Sequence, residues 1–164
     1  MDKFGKEGIL DRLTQLDDDL LSCIDNGRNV EITIVGGSAL VLLELSAESR
    51  MTTDIDVMEA ALQAEALLER YDMNQHATTF RFRLPENWRG RRQRVPFDGV
   101  VLEVYAPSNE DLAILKLDAY RPIDQADLKE MVNSGRLDIN KLLAIVHDDV
   151  EIRVGFDDDA EWFT

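Results

Sequence analysis

Cysteine is almost missing: Cys23 is the only one in 164 residues, so no internal disulfide can form. Histidine is nearly as scarce. His76 and His147 stand alone, and no Cys/His spacing of a zinc site occurs, which excludes a structural zinc module. No apolar run approaches the roughly 18 residues of a membrane span. The start, MDKFGKEGILDR, has no apolar core behind a basic end, so no signal peptide is expected. A cytoplasmic protein with no membrane partner is the expectation. Cys23 falls in an amphipathic helical pattern and is expected as a buried structural thiol. Linkers rich in Gly, Pro or Ser are absent, as are repeats. One domain over residues 1–164 is expected, with a core over about 28–135 and a C-terminal helix and acidic tail over 138–164.

Positive charge is in short supply. Eighteen Lys and Arg face 33 Asp and Glu, for a net charge of -15. Such a chain repels nucleic acid in general. The exception is local. Arg81, Arg83, Arg89, Arg91, Arg92 and Arg94 face one acid, Glu86, so this window is an island of positive charge. It suits a phosphate-bearing or acidic partner, unless the arginines balance acids nearby in the fold.

What is present is a folded composition: 45% hydrophobic and 31% charged residues argue against disorder. Ile9, Leu10, Leu13, Leu16, Leu20, Leu21 and Ile24 form one stripe of a helix over 7–26, which Gly27 would stop. Val30–Val35 reads as a strand ending in Gly36-Gly37, and Ser38 as the cap of a short helix, SALVLLELS. TDIDVM alternates as a second strand. The spacing predicts a helix over Glu59–Tyr71, a strand over Thr78–Leu84, a long loop over Leu84–Asp98, and a strand over Val100–Ala106. Ser108 and Asp111 make a capping-box pattern before the helix DLAILKLDAY. Helices follow from about Asp124 to Asn133 and, capped by Asp138, over INKLLAIVHDDV. This order predicts an α/β (α+β) fold: a small mixed sheet with helices packed on it.

Two segments carry chemistry. A strand ending in two glycines lets backbone pass close to a bound group. A helix opening at Ser38 presents free N–H groups and the positive end of its dipole, a seat for phosphate. On the next strand Asp54 and Asp56 stand two apart, so their carboxylates share a face. Side by side they repel unless a divalent cation joins them, and Mg²⁺ takes oxygen ligands while keeping room for substrate phosphates. Acid pairs two apart occur by chance in so acidic a chain; Asp17/Asp19 is one. The context of Ile55, Val57 and the upstream Gly-Gly-Ser sets this pair apart. Trp88, in the predicted loop, suits either stacking on a base or packing in the core.

GGSAL followed by RMTTDIDV is similar to the signature of the nucleotidyltransferase superfamily that includes polymerase-beta-like enzymes. ENWRGRR and then VYAPSNEDLAILKLDAYRPIDQADL resembles small bacterial nucleotidyltransferase-like domains related to the AbiEii and MenT toxins. The likeness spans roughly residues 30–132. It implies that Asp54 and Asp56 bind Mg²⁺ (or Mn²⁺) and the triphosphate, and that Gly36, Gly37, Ser38 and Thr53 hold the nucleotide. It matches Lys116 to a lysine near the triphosphate and either Asp124 or Asp127 to a later acid. The family usually places a basic residue just before that acid; Pro122-Ile123 stands there instead, so both aspartates stay open. Glu103 is the candidate third carboxylate. The implied activity is transfer of a nucleoside monophosphate from an NTP to a hydroxyl of RNA (tRNA) or protein, as in toxin–antitoxin or phage-defence systems, with a cognate partner protein. Two alternatives remain: a catalytically silent nucleotide-binding or antitoxin-like module, and a small-molecule (antibiotic) nucleotidyltransferase.

Overall fold

The structure, a computed structural model, describes residues 2–23 and 29–148. Ile24, the expected stop at Gly27, and the acidic tail from 149 onward lie outside those residues.

Helix α1 (Lys6–Cys23) buries Ile9, Leu13, Leu16 and Leu20 completely, as the stripe predicts. Cys23 contradicts its expectation: it is exposed, because it is the last residue of α1, past the end of the buried stripe. Strand β1 (Val30–Val35) is buried apart from Glu31, and apolar apart from Glu31 and Thr33, which fits a central strand. Helix α2 (Gly36–Leu42) follows at once. Strand β2 (Ile55–Ala60) pairs antiparallel with β1. A one-turn helix α3 (Leu62–Glu65) and a 3₁₀ turn (Leu68–Tyr71) lead to the short strand β3 (Met73–Asn74), parallel to β2. Another 3₁₀ segment (Thr78–Arg83), the one-turn helix α4 (Trp88–Arg91) and strand β4 (Gln93–Arg94) precede β5 (Leu102–Ala106). β5 runs parallel to β1, and β4 closes that edge antiparallel. The sheet order is β3-β2-β1-β5-β4, a mixed sheet. Helices α5 (Asn109–Ala119), α6 (Pro122–Asn133) and α7 (Ile139–Asp148) complete the described chain. No described helix is long and apolar enough to cross a membrane.

Two predicted elements are corrected. Glu59–Tyr71 is not one helix: β2 continues through Ala60 because Glu59 and Ala60 pair with Thr33 and Ile32, and only short turns follow. Thr78–Leu84 is a 3₁₀ segment, since its alternation finds no neighbouring strand to pair with. The predicted loop over Leu84–Asp98 contains α4 and β4. Trp88 there is 4% exposed and packs in the core.

Three local devices hold the frame. Ser108 caps α5, its Oγ accepting from the Asp111 N–H at 3.1 Å. Asp138 likewise accepts the Lys141 N–H at 3.0 Å. Asp17, buried on α1, accepts the N–H groups of Val100, Val101 and Leu102 at 2.8–2.9 Å and so pins the start of β5. Asp17→Ala leaves those donors without their acceptor. Hydrogen bonds to a charged group contribute about 1.5–3 kcal/mol each. Chemical denaturation should therefore register a loss of at least about 3 kcal/mol, and a change under about 1 kcal/mol would refute this role.

The arginine window resolves mostly into internal ion pairs. Arg83 meets Asp118, Arg89 meets Glu59, Arg92 meets Glu31 and Arg94 meets Glu103. Arg91 holds the buried Asp111 through two bonds of 2.9 and 2.8 Å. Balance with nearby acids thus accounts for five of the six arginines, and the case for a phosphate track weakens accordingly.

Candidate active site

Asp54 and Asp56 come together at the carboxyl end of β1. The register places Asp56 opposite Val35, the last residue of β1, and beside Asn74 on β3. Gly36 follows Val35 with a φ of +68°, a conformation that L side chains rarely adopt. A Cβ on Gly36 would lie 2.8 Å from Asp56 Oδ2, and one on Gly37 would lie 2.8 Å from an Arg50 nitrogen. The glycines therefore make room for protein side chains of the site itself.

Gly36, Gly37, Arg50, Asp54 and Asp56 line a cavity of about 390 Å³ that also receives Thr53, Lys116, Arg121 and Asp124. This volume lies within the roughly 300–1,000 Å³ of small-molecule sites. Its apolar lining comes from Phe80 of the second 3₁₀ segment, Leu112 and Leu115 of α5, and Ile123 of α6.

One side of the cavity is a charge network. Lys116 Nζ lies 2.8 Å from Asp127 and 3.2 Å from Asp124. Arg50 grips Asp127 through Nε at 2.9 Å and a second nitrogen at 3.2 Å. Arg121 reaches Asp124 at 2.7 Å, and its backbone N–H donates to the same carboxylate at 2.9 Å, so the pair also caps α6. Arg121, three positions before Asp124, is thus folded back onto it by the first turn of α6. Three cations face two anions. Burial is the largest single influence on Asp124 and pushes its carboxyl up, but the bonds from Arg121 and the charge of Lys116 together outweigh it and leave it below the usual carboxylate value. A lowered value means that stability from Asp124 is fully present above the ordinary carboxylate range and is lost as pH falls through the lowered value.

The other side is anionic. Among the described residues, neither Asp54 nor Asp56 has an ion-pair partner; the pocket's pairs are all made by Asp124 and Asp127. Asp54 titrates above the usual carboxylate value, first through burial and then through the charge of Asp56.

The expected site residues divide. Gly36, Gly37, Thr53, Asp54, Asp56, Lys116 and Asp124 line one cavity, and Asp127 stands behind it on Lys116. Ser38 does not join: its Oγ is buried and donates to the Val35 carbonyl at 3.2 Å, because α2 starts at Gly36 and puts Ser38 inside the first turn, not at its cap. Glu103 does not join either. It pairs with Glu31 on β1, four residues and about 13 Å of strand from Val35. There it accepts from Asn29 and Tyr105 and meets Arg94. Asp72 is near enough for its charge to act on Asp54, but among the described residues no cluster of three or more acidic, His or Cys side chains could hold a metal. Asp124 and Asp127 are already taken by cations.

Three residues of the site are given no role by the sequence motifs: Arg50 and Arg121, which stand inside them, and Asn74. Arg50 meets Asp127 across 77 positions and Asn74 meets Asp56 across 18, separations that only the tertiary fold closes.

The fold is a mixed sheet with helices packed on it, and one cavity on it is lined by both acids and cations. The chain belongs to the family described as a nucleotidyltransferase of unknown function (DUF6036), whose model matches residues 11–164. No curated protein and no solved structure matches the chain.

Proposed function

We propose that this domain transfers a nucleoside monophosphate from an NTP to an acceptor hydroxyl, with Mg²⁺ held by Asp54 and Asp56. The observation that carries this reading is the pairing of opposites in one cavity. A carboxylate pair without an ion-pair partner among the described residues lines the same cavity as three cations, Lys116, Arg50 and Arg121. The donor set fits Mg²⁺, which binds through one or two carboxylates and completes its shell with water and substrate phosphate. When bound, the ion would polarise phosphoryl oxygens and offset their charge.

The chain's own residues divide the rest of the work. Lys116, Arg50 and Arg121 draw the polyphosphate into the cavity and offset charge on departing pyrophosphate. The apolar wall at Phe80, Leu112 and Leu115 faces the base and ribose. The acceptor oxygen bonds to the α-phosphorus, the bond from that phosphorus to the bridging oxygen breaks, and pyrophosphate leaves. The acceptor's proton passes to an Asp54 or Asp56 carboxylate oxygen. Asp124 and Asp127 keep Lys116 and the arginines in place.

The motif likeness to AbiEii and MenT toxins supports an acceptor on RNA or protein and a cognate partner that masks the cavity. Incubation with Mg²⁺, α-labelled NTPs and a cell extract tests the reading. Label should enter the RNA or the protein fraction, whereas γ-labelled NTP should give labelled pyrophosphate only. Saturable nucleotide binding with no transfer to any fraction would favour the silent binding module instead.

A further inference from the structure

Asn74 touches both carboxylates of the pair. Its Nδ2 lies 3.1 Å from Asp54 Oδ2 and 3.0 Å from Asp56 Oδ1. A carboxamide nitrogen carries two hydrogens, one for each acceptor. The other end of the amide is fixed as well: Oδ1 accepts the His76 N–H at 3.0 Å. Turning the amide over would set a donor against that N–H, so the fold itself decides that the nitrogen faces the carboxylates. Position adds to this. Asn74 sits beside Asp56 in the register of β3 on β2, so the bridge is built into the sheet.

We propose that Asn74 is a positioning residue that aligns Asp54 and Asp56 as a preformed pair of ligands for a divalent cation. The inference rests on the reading of this pair as the metal site. The residue type matters here. A lysine at this place would align the carboxylates but neutralise them; the amide is uncharged and leaves both negative charges for the ion. Groups that orient metal ligands through hydrogen bonds typically change metal affinity about 10- to 100-fold when removed.

Mn²⁺ binding to the full chain, followed by electron paramagnetic resonance, is the test. Asn74→Leu keeps a similar volume and removes both bonds. Its affinity should fall about 10- to 100-fold while its circular dichroism stays that of the unaltered protein. Equal Mn²⁺ affinity in Asn74→Leu and the unaltered chain overturns the positioning role and leaves the metal site standing. No Mn²⁺ uptake by the unaltered chain overturns both. A variant that fails to fold does not stop the test, because the side-chain amide of Asn74 can be followed by NMR in the unaltered protein. Its resonances should move on Mg²⁺ titration with the midpoint of Mg²⁺ binding, and an amide signal that stays still through saturation overturns the proposal.

Discussion

Asp127→Ala is expected to cost about 3–5 kcal/mol of stability, the amount lost when one partner of a buried ion pair is removed. Asp127 is 3% exposed and holds both Lys116 and Arg50. Without it, Lys116 and Arg50 share a cavity wall with Arg121 and only Asp124 to oppose them. For a domain of this size the melting temperature should drop on the order of 10 °C. Lys116→Met offers the contrast. Each acid then keeps an arginine, Asp124 with Arg121 and Asp127 with Arg50, so the loss of stability should be the smaller of the two. Its loss of activity should be about 100-fold or more, the scale of removing a charge-stabilising donor from a reacting site. Melting curves and transfer rates for the two variants check both orders together. A Lys116→Met protein that melts lower than Asp127→Ala would refute the division of roles within the network.

Asp54→Asn/Asp56→Asn is expected to do the reverse: to abolish function while sparing or improving stability. The two carboxylates repel, and no described cation pairs with them. The raised titration of Asp54 gives the sign. A carboxyl raised in the folded state favours folding most at low pH, and that benefit is lost as pH rises through the raised value. At neutral pH an ionised Asp54 therefore strains the metal-free protein, and the double amide should melt at or above the unaltered chain. Acidification should close the gap. Transfer should fall about a thousandfold or more, since losing several kcal/mol of charge stabilisation costs about tenfold per 1.4 kcal/mol. A double variant that melts well below the parent at neutral pH would show that the pair is structural.

Much of this site was legible in the chain because its parts are local. Gly36-Gly37 at a strand end, Asp54 and Asp56 two apart, and Ser108 with Asp111 are patterns within a few residues, and each fixes local geometry. Helix α2 is capped at Val35, three residues ahead of Ser38, which is enough to turn the Ser38 hydroxyl to the Val35 carbonyl. Glu59–Tyr71 reads as a helix from its own residues, yet pairing with β1 carries Glu59 and Ala60 into the sheet. TTFRFRL alternates as a strand does, but alternation supplies a face and not a partner. The charge network escaped for a different reason. Whether an arginine such as Arg91 or Arg50 serves a ligand or a buried acid depends on which carboxylates the fold brings to it, and those lie 20 and 77 positions away. Asn74 is polar and unremarkable in sequence; its role exists only in the register of β3 on β2.

The most direct measurement is calorimetric titration of a non-hydrolysable NTP analogue, with and without Mg²⁺, into the unaltered chain and into Asp54→Asn/Asp56→Asn. The account predicts binding that needs Mg²⁺ in the unaltered chain and is lost in the double variant. Binding that ignores Mg²⁺ and survives the double substitution would contradict it, because the carboxylate pair and the cationic wall would then not form one nucleotide site.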